Sequence, residues 1–482
     1  MASANRSAYL KELFWNQLWQ SANFAAKAGF LILLTPLMLW KWGAAGFGLY
    51  ALASSLLVSM ALLDGGVRAL TRLRLAEAHR NGDESAFARA YGEGLVTFAG
   101  VCAAALALAA GLAASGWLNR WLNLAGGGEW VLALTVAMTA VFMLTTLALE
   151  PIAAKGNLSA LKAANTWGAL LAIPCTALAV VLGGSILLAL VIYFLCITVP
   201  NFVLAYRSGL VPLLVRRETF RCHPFVILRT LREGFWYYLT TVSLVVKTHG
   251  LTFVVSAIAG PAEAGMFYIL LRLTEIVGNV GATASETSLA ALAAANDAGE
   301  RRGNFRQSWL YTGILCLHGA LAMGLLGEPL LKFWLPDKGF VPPGVGWAMA
   351  VFGLAGAFSR VVVNAGMGLR LVRPAAIANA LEAGADLAGA VIGYHLAGLP
   401  GLFIGGSIGF FFLLFPARKI AAACATGFIG LYLGPIGGLA PGLAAAGVTQ
   451  WGASFLSWPP AWFAAIGLSG GVALWQLRRL HR

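Results

Sequence analysis

Apolar runs of about twenty residues recur along the whole chain, separated by short segments where Arg, Lys, Gly and Pro collect. Such a run spans the roughly 30 Å of bilayer hydrocarbon as an α-helix. The pattern therefore predicts an all-α polytopic membrane protein. Fourteen spans are expected, over Leu18–Trp40, Phe47–Leu63, Tyr91–Ser115, Trp130–Glu150, Thr166–Gly183, Ser185–Tyr206, Gly234–Ile258, Gly265–Leu292, Ser308–Gly327, Gly346–Met367, Ala375–Gly393, Gly401–Pro416, Cys424–Ala446 and Pro460–Gln476. Pro36 lies inside the first and should kink it, because it removes one helical hydrogen bond. Gly401, Gly405 and Gly409 share one helical face, where small residues let two backbones approach closely.

The chain also echoes itself. AGFGLYALA from Ala45 is matched by AGMFYILLR from Ala264, and LAEAHRNGD from Leu75 by LAAANDAGE from Leu292. Lys27 and Lys247 precede the first pair at similar distances, which makes them equivalent positions of a repeat. An even number of spans fits within one repeat, so the halves share a topology. The expected organisation is two pseudo-symmetric six-helix lobes plus two extra helices. The first lobe covers residues 1–206, a cytoplasmic loop 207–233, the second lobe 234–420, and the added spans and tail 421–482.

Charge refines this picture. The 482 residues are 59% hydrophobic and only 11% charged, which leaves no room for a separate soluble domain. The net charge of +14 comes from Arg and Lys in short loops rather than one stripe with interleaved aromatics, which argues against nucleic acid. With the N-terminus inside, Arg6, Lys11, the Arg68-to-Arg89 group, Lys155, Lys162, the Arg207-to-Arg232 group, Arg301, Arg302, Arg306, Arg370, Arg373, Arg418, Lys419 and the terminal arginines all face the cytoplasm. Lys41, Arg120, Lys332 and Lys338 fall outside. This bias predicts that both termini are cytoplasmic. The first span lacks a short apolar core ending in a small-residue cleavage site, so it is expected to stay in the chain. The six cysteines are scattered with no CxxC spacing, and no metal site or cofactor is expected. No GxxxxGK[ST] loop supports ATP-driven pumping.

Four cations lie inside spans: Lys27, Lys247, Arg272 and Arg360. A cation at the bilayer centre costs roughly 2.5–3.5 kcal/mol, so four facing lipid would cost on the order of 10–14 kcal/mol. They are expected to line a wet cavity or to pair across helices. Lys27 and Lys247 have no carboxylate on their own spans and are candidates for a central cationic lumen. Arg272 and Glu275 are three apart and share a helical face, either as a self-neutralising pair or as a substrate or coupling site. Arg360 has Glu382 and Asp386 on the next span as candidate partners. Asp64 and Arg72 end the second span, where a loop-ordering salt bridge is expected.

The stretch DGGVRALTRLRLAEAHRNGD, Asp64 to Asp83, following GFGLY, resembles the Asp-x-Gly … Thr-Arg … Ala-Glu … Gly-Asp region of polysaccharide flippases. These are the O-antigen and capsule flippases of the multidrug/oligosaccharidyl-lipid/polysaccharide exporter superfamily. The resemblance implies a secondary transporter, not an enzyme, that moves a polyprenyl-pyrophosphate-linked oligosaccharide from the cytoplasmic to the outer leaflet of a bacterial inner membrane. It also implies membrane lipids and a polysaccharide polymerase as partners, in O-antigen and lipopolysaccharide synthesis. In the related peptidoglycan-precursor flippases, cavity arginines stand on the first two spans of each lobe. Here Lys27, Lys247 and Arg272 match three of those spans, and the second carries no mid-span cation. Two other readings stay open: a multidrug cation antiporter of the same superfamily, which would favour carboxylates in the cleft, and a membrane glycosyltransferase or polymerase, which would need a larger outer loop.

Overall fold

The computed structural model describes residues 2–59, 67–122, 128–155, 157–208, 226–295, 297–335, 341–425 and 427. The described residues form α-helices: α1 (Ala2–Ser59), α2 (Val67–Arg80), α3 (Glu84–Ala114), α4 (Trp117–Leu122), α5 (Gly128–Ala148), α6 (Glu150–Ala154), α7 (Leu158–Val181) and α8 (Ile186–Arg207). After these come α9 (Val226–Val245), a π-helical turn (Val246–Gly250), α10 (Leu251–Ala259), α11 (Pro261–Ala294), α12 (Ala298–Trp334), α13 (Val345–Gly368) and α14 (Val372–Gly405). A 3₁₀ turn (Ile408–Leu413) and α15 (Leu414–Ala423) complete the described part.

Among the described residues, 9 helical stretches are long and apolar enough to cross a membrane. Two of them, Ala25–Leu57 and Val372–Ala423, each hold two of the expected spans. The 34-residue α11, which carries Arg272 and Glu275, covers the expected eighth span in addition. The protein is a multi-pass membrane protein. Asp64, Cys222 and the expected thirteenth and fourteenth spans lie outside the described residues.

The expected first and second spans meet at a break at Gly43, where φ is 68° and ψ is −178°. That conformation is open essentially to glycine alone. Pro36, expected to kink the first span, stays inside the helix. The same kind of break ends the seventh span at Gly260, with φ 89°, 217 residues after Gly43. Gly183 and Gly398, both at positive φ, separate α7 from α8 and the two arms of α14, 215 residues apart. Asp83 and Asp297 cap α3 and α12, each accepting a backbone N–H three residues on. These helix ends thus recur at nearly the offset of the short sequence echoes.

The chain forms two compact units, residues 1–241 with 252–266, and residues 242–251 with 267–482. In the first, α1 lies along α7 and α8. Trp42 Nε1 donates to the Gly184 carbonyl at 3.2 Å, and Phe30 meets Tyr193 edge-on at 5.1 Å. Residues of α10 and the start of α11 also pack there: Ser55 Oγ donates to Thr252 Oγ1 at 3.2 Å, and Ser256 Oγ to the Leu122 carbonyl at 2.9 Å. A Cβ on Gly48 would stand 1.8 Å from the Pro261 carbonyl oxygen, so the two backbones touch.

In the second unit the arms of α14 fold back on each other through glycine. A Cβ on Gly393 would lie 2.0 Å from the Gly401 carbonyl oxygen, and one on Gly405 2.0 Å from that of Gly389. Lipid tails give no hydrophobic drive for pairing two helices, so this contact rests on close van der Waals packing that only glycine allows. Phe267, Phe352 and Phe403 pack ring against ring beside this hairpin.

Candidate functional site: a charged interior at a π-helical turn

The turn Val246–Gly250 follows a π-helical path, its hydrogen bonds closing over one residue more than in α. It buries two polar residues of the seventh span, Lys247 and His249. Both lie in the second unit, as do all their partners described below.

Lys247 Nζ sits between two carboxylates of α14. It forms an ion pair with Glu382 Oε1 and stands 3.3 Å from Asp386 Oδ2. Ser359 Oγ of α13 is 3.5 Å from the ammonium and donates to Glu382 Oε2 at 2.8 Å. The backbone N–H of Gly409 donates to Asp386 Oδ1 at 2.7 Å. That last bond needs glycine, because a Cβ there would stand 2.2 Å from the Glu382 carbonyl oxygen and 2.6 Å from Asp386 Oδ1. Glu382 and Asp386 are one helical turn apart and so share a face of α14. Their relative exposures are 0% and 1%, against 7% for Lys247, so the cluster is closed off within the helices.

The second cluster lies around His249. Arg272 Nη1 of α11 meets Glu275 Oε2 at 2.6 Å, and its Nη2 is 3.4 Å from His249 Nδ1. His249 Nε2 faces Glu275 Oε1 at 3.8 Å. This suits a neutral imidazole that accepts from Arg272 on Nδ1 and carries its proton on Nε2. The Arg272 guanidinium also covers the Tyr268 ring at 4.8 Å from its centroid, a cation–π contact. Arg360 acts electrostatically on both His249 and Glu275.

The structure gives Lys247 partners that its own span could not supply. Glu382 and Asp386, proposed from sequence for Arg360, hold Lys247. Lys247 therefore does not present a lone cation, and its partners come from α14, 135 residues away for Glu382. Spacing along one helix cannot reveal such a pairing. Lys27 lies in the first unit, exposed on α1.

Arg72 has a partner that sequence spacing did not indicate. With Arg68 it holds Glu150, a buried carboxylate between α5 and α6: Arg72 Nε to Glu150 Oε2 is 2.5 Å, Arg72 Nη2 to Oε1 2.9 Å and Arg68 Nε to Oε1 3.1 Å. Glu150 reads in the sequence as the polar end of a span, and the Pro151 after it is the only local hint that the helix restarts there. Ser359, His249 and Gly409 were likewise not singled out as site residues. For Gly409 a signal existed in the glycine spacing, which the hairpin of α14 uses. Among the described residues no cluster of His, Cys, Asp and Glu is arranged to hold a metal ion.

The sequence matches no family model and no curated protein. Solved structures share its fold. One is a multidrug resistance MATE family transporter of the MOP superfamily in an inward-facing conformation, with TM-score 0.68 and 15% identity over 84% of this chain and 99% of that one. Another is the lipid II flippase MurJ in an inward closed conformation, with TM-score 0.71 and 11% identity over 96% of this chain and 100% of that one. A third is the MATE multidrug transporter DinF-BH, with TM-score 0.61 and 17% identity over 85% of this chain.

Proposed function

We propose that this protein is a secondary transporter that flips a polyprenyl-pyrophosphate-linked oligosaccharide from the cytoplasmic to the outer leaflet of a bacterial inner membrane, with both termini in the cytoplasm. The observation that carries this reading is the set of cations inside the spans, Lys247, Arg272 and Arg360 in one unit and Lys27 in the other. Once drawn away from the carboxylates that hold Lys247 and Arg272, such groups attract the charges of a pyrophosphate strongly in a low-dielectric interior. Lysine supplies a point charge without the bidentate fork of arginine, which suits a headgroup held by charge more than by shape. The fold is one that a lipid II flippase and multidrug transporters share, so it accommodates this cargo without selecting it. Each negative charge carried outward against an inside-negative potential gains roughly 2.3 kcal/mol per 100 mV, so the charge of the headgroup helps drive export. A polysaccharide polymerase acting on the delivered glycan is the partner this chemistry calls for.

Glu275, Glu382 and Asp386 favour a second reading, export of organic cations, because buried carboxylates would pair with them as readily as with Lys247. Reconstituted vesicles separate the two. With a fluorescent polyprenyl-pyrophosphate oligosaccharide in the vesicle lipid, the flippase reading expects the outer-leaflet label to exchange with the inner leaflet in a protein-dependent way. Exchange no faster than in protein-free vesicles, together with accumulation of a cationic dye under a proton gradient, would sink it in favour of the antiporter.

A further inference from the structure

We infer that the Glu382–Asp386 pair binds either the Lys247 ammonium or a proton, so that withdrawal of Lys247 from the pair is accompanied by uptake of one proton.

The geometry is that of two carboxylates sharing one cation. Both are buried, they face one another along α14, and Lys247 reaches both from the π turn. The fixed donors are one each: Ser359 Oγ on Glu382 and the Gly409 N–H on Asp386. Neither carries a full charge. Two adjacent carboxylates in such a place cannot both stay ionised once their cation leaves, since like charges and burial both favour the protonated form of one.

The other groups packed around α14 do not take over Lys247's role. His249, on the same π turn, is turned to Arg272 and Glu275, and Arg360 of α13 acts on that second cluster. Arg418 and Lys419 of α15 are exposed. The exchange balances: the ammonium moves away with its own protons, and one proton from the aqueous phase binds one carboxylate oxygen. An anionic headgroup is what would draw the ammonium away, and that part rests on the function proposed above. Anion binding and proton uptake would then be linked at one site.

The exchange itself can be read without substrate. Infrared difference spectra of purified full-length Lys247→Gln at neutral pH should show the carbonyl band of a protonated carboxyl group that wild type lacks. The band should vanish when Glu382→Gln and Asp386→Asn are added. Should Lys247→Gln fail to fold, Lys247→Met, which keeps both carboxylates and fills the volume of the lysine stem, should show the same band. Absence of the band in whichever of these folds would overturn the inference. A second arm titrates wild type with a short-chain polyprenyl pyrophosphate in two buffers of different ionisation heat, expecting about one proton taken up per anion bound. Binding without uptake also overturns the exchange. No binding at all, with the band present in the variants, leaves the exchange standing and overturns the anionic cargo.

Discussion

Lys247 and Asp386 meet at 3.3 Å although 139 residues separate them in the chain, and the contact closes a cluster in which a cation and two carboxylates share one buried site. The pairing makes Lys247 structural as well as a candidate for cargo recognition, and it changes what substitutions there should do.

Removing the ammonium leaves two buried carboxylates uncompensated. Breaking a buried ion pair from one side costs about 3–5 kcal/mol. Lys247→Glu should therefore lower the amount of folded protein as well as activity, and Lys247→Gln should do so less. Adding Glu382→Gln to Lys247→Gln should recover stability relative to Lys247→Gln alone. Thermal unfolding in detergent followed by size exclusion checks this; additive losses in the double variant would mean the two side chains do not interact.

The glycine hairpin of α14 makes a contrast within one helix. Gly393→Ala places a Cβ against the Gly401 carbonyl, where it would stand 2.0 Å away, and the two arms must separate. Gly384→Ala meets nothing within 4 Å and should be neutral or slightly stabilising. Expression and melting temperature of the two variants should differ in that order, and equal behaviour would refute the close contact.

Glu150 is the buried member of the Arg68–Arg72–Glu150 group, while the arginine side chains are 37% and 39% exposed. Glu150→Gln removes the buried carboxylate that both arginines hold and should be the more damaging of two changes. Arg68→Ala leaves the two bonds from Arg72 in place and should cost only about 1 kcal/mol. Melting temperatures of the two single variants test the ranking; Arg68→Ala proving as harmful as Glu150→Gln would contradict it.

Asp83, exposed in the turn between α2 and α3, accepts the Ala86 N–H at 2.8 Å and the Ser85 hydroxyl at 2.9 Å. The Ala86 bond first, and the Ser85 bond second, hold its carboxyl below the ordinary value of 3.8. A lowered folded-state value means the cap's extra stabilisation is present above the unfolded-state value and is lost as pH falls through the folded one. Asp83→Asn, which can still cap but does not ionise, should lose that acid-side dependence, and Asp83→Ala should lose the cap at every pH. Proteolysis at the α2–α3 turn as a function of pH reads the difference; an unchanged acid dependence in Asp83→Asn would exclude this carboxyl as its source.

The sequence by itself determined the class of fold. Apolar runs of the right length, cut by Gly and charged turns, marked the long apolar helices seen among the described residues, because each helix satisfies its own backbone and its length is fixed by the bilayer rather than by its neighbours. Gly43, Gly260, Gly183 and Gly398 stand at helix breaks with positive φ, which glycine adopts without strain. Even the close approach at Gly401 and Gly405 showed in their spacing, since a helix face is a local property. Tertiary structure alone decided which charges meet. Lys247 was visible as an intramembrane cation, and Glu382 and Asp386 as carboxylates, but the first was read as unpaired and the others as partners of Arg360. The reason is physical: helical spacing fixes which side chains share a face within one span, whereas the rotation of one span against another is set by packing along its whole length, and a single π-helical turn at Val246–Gly250 is enough to decide what Lys247 faces.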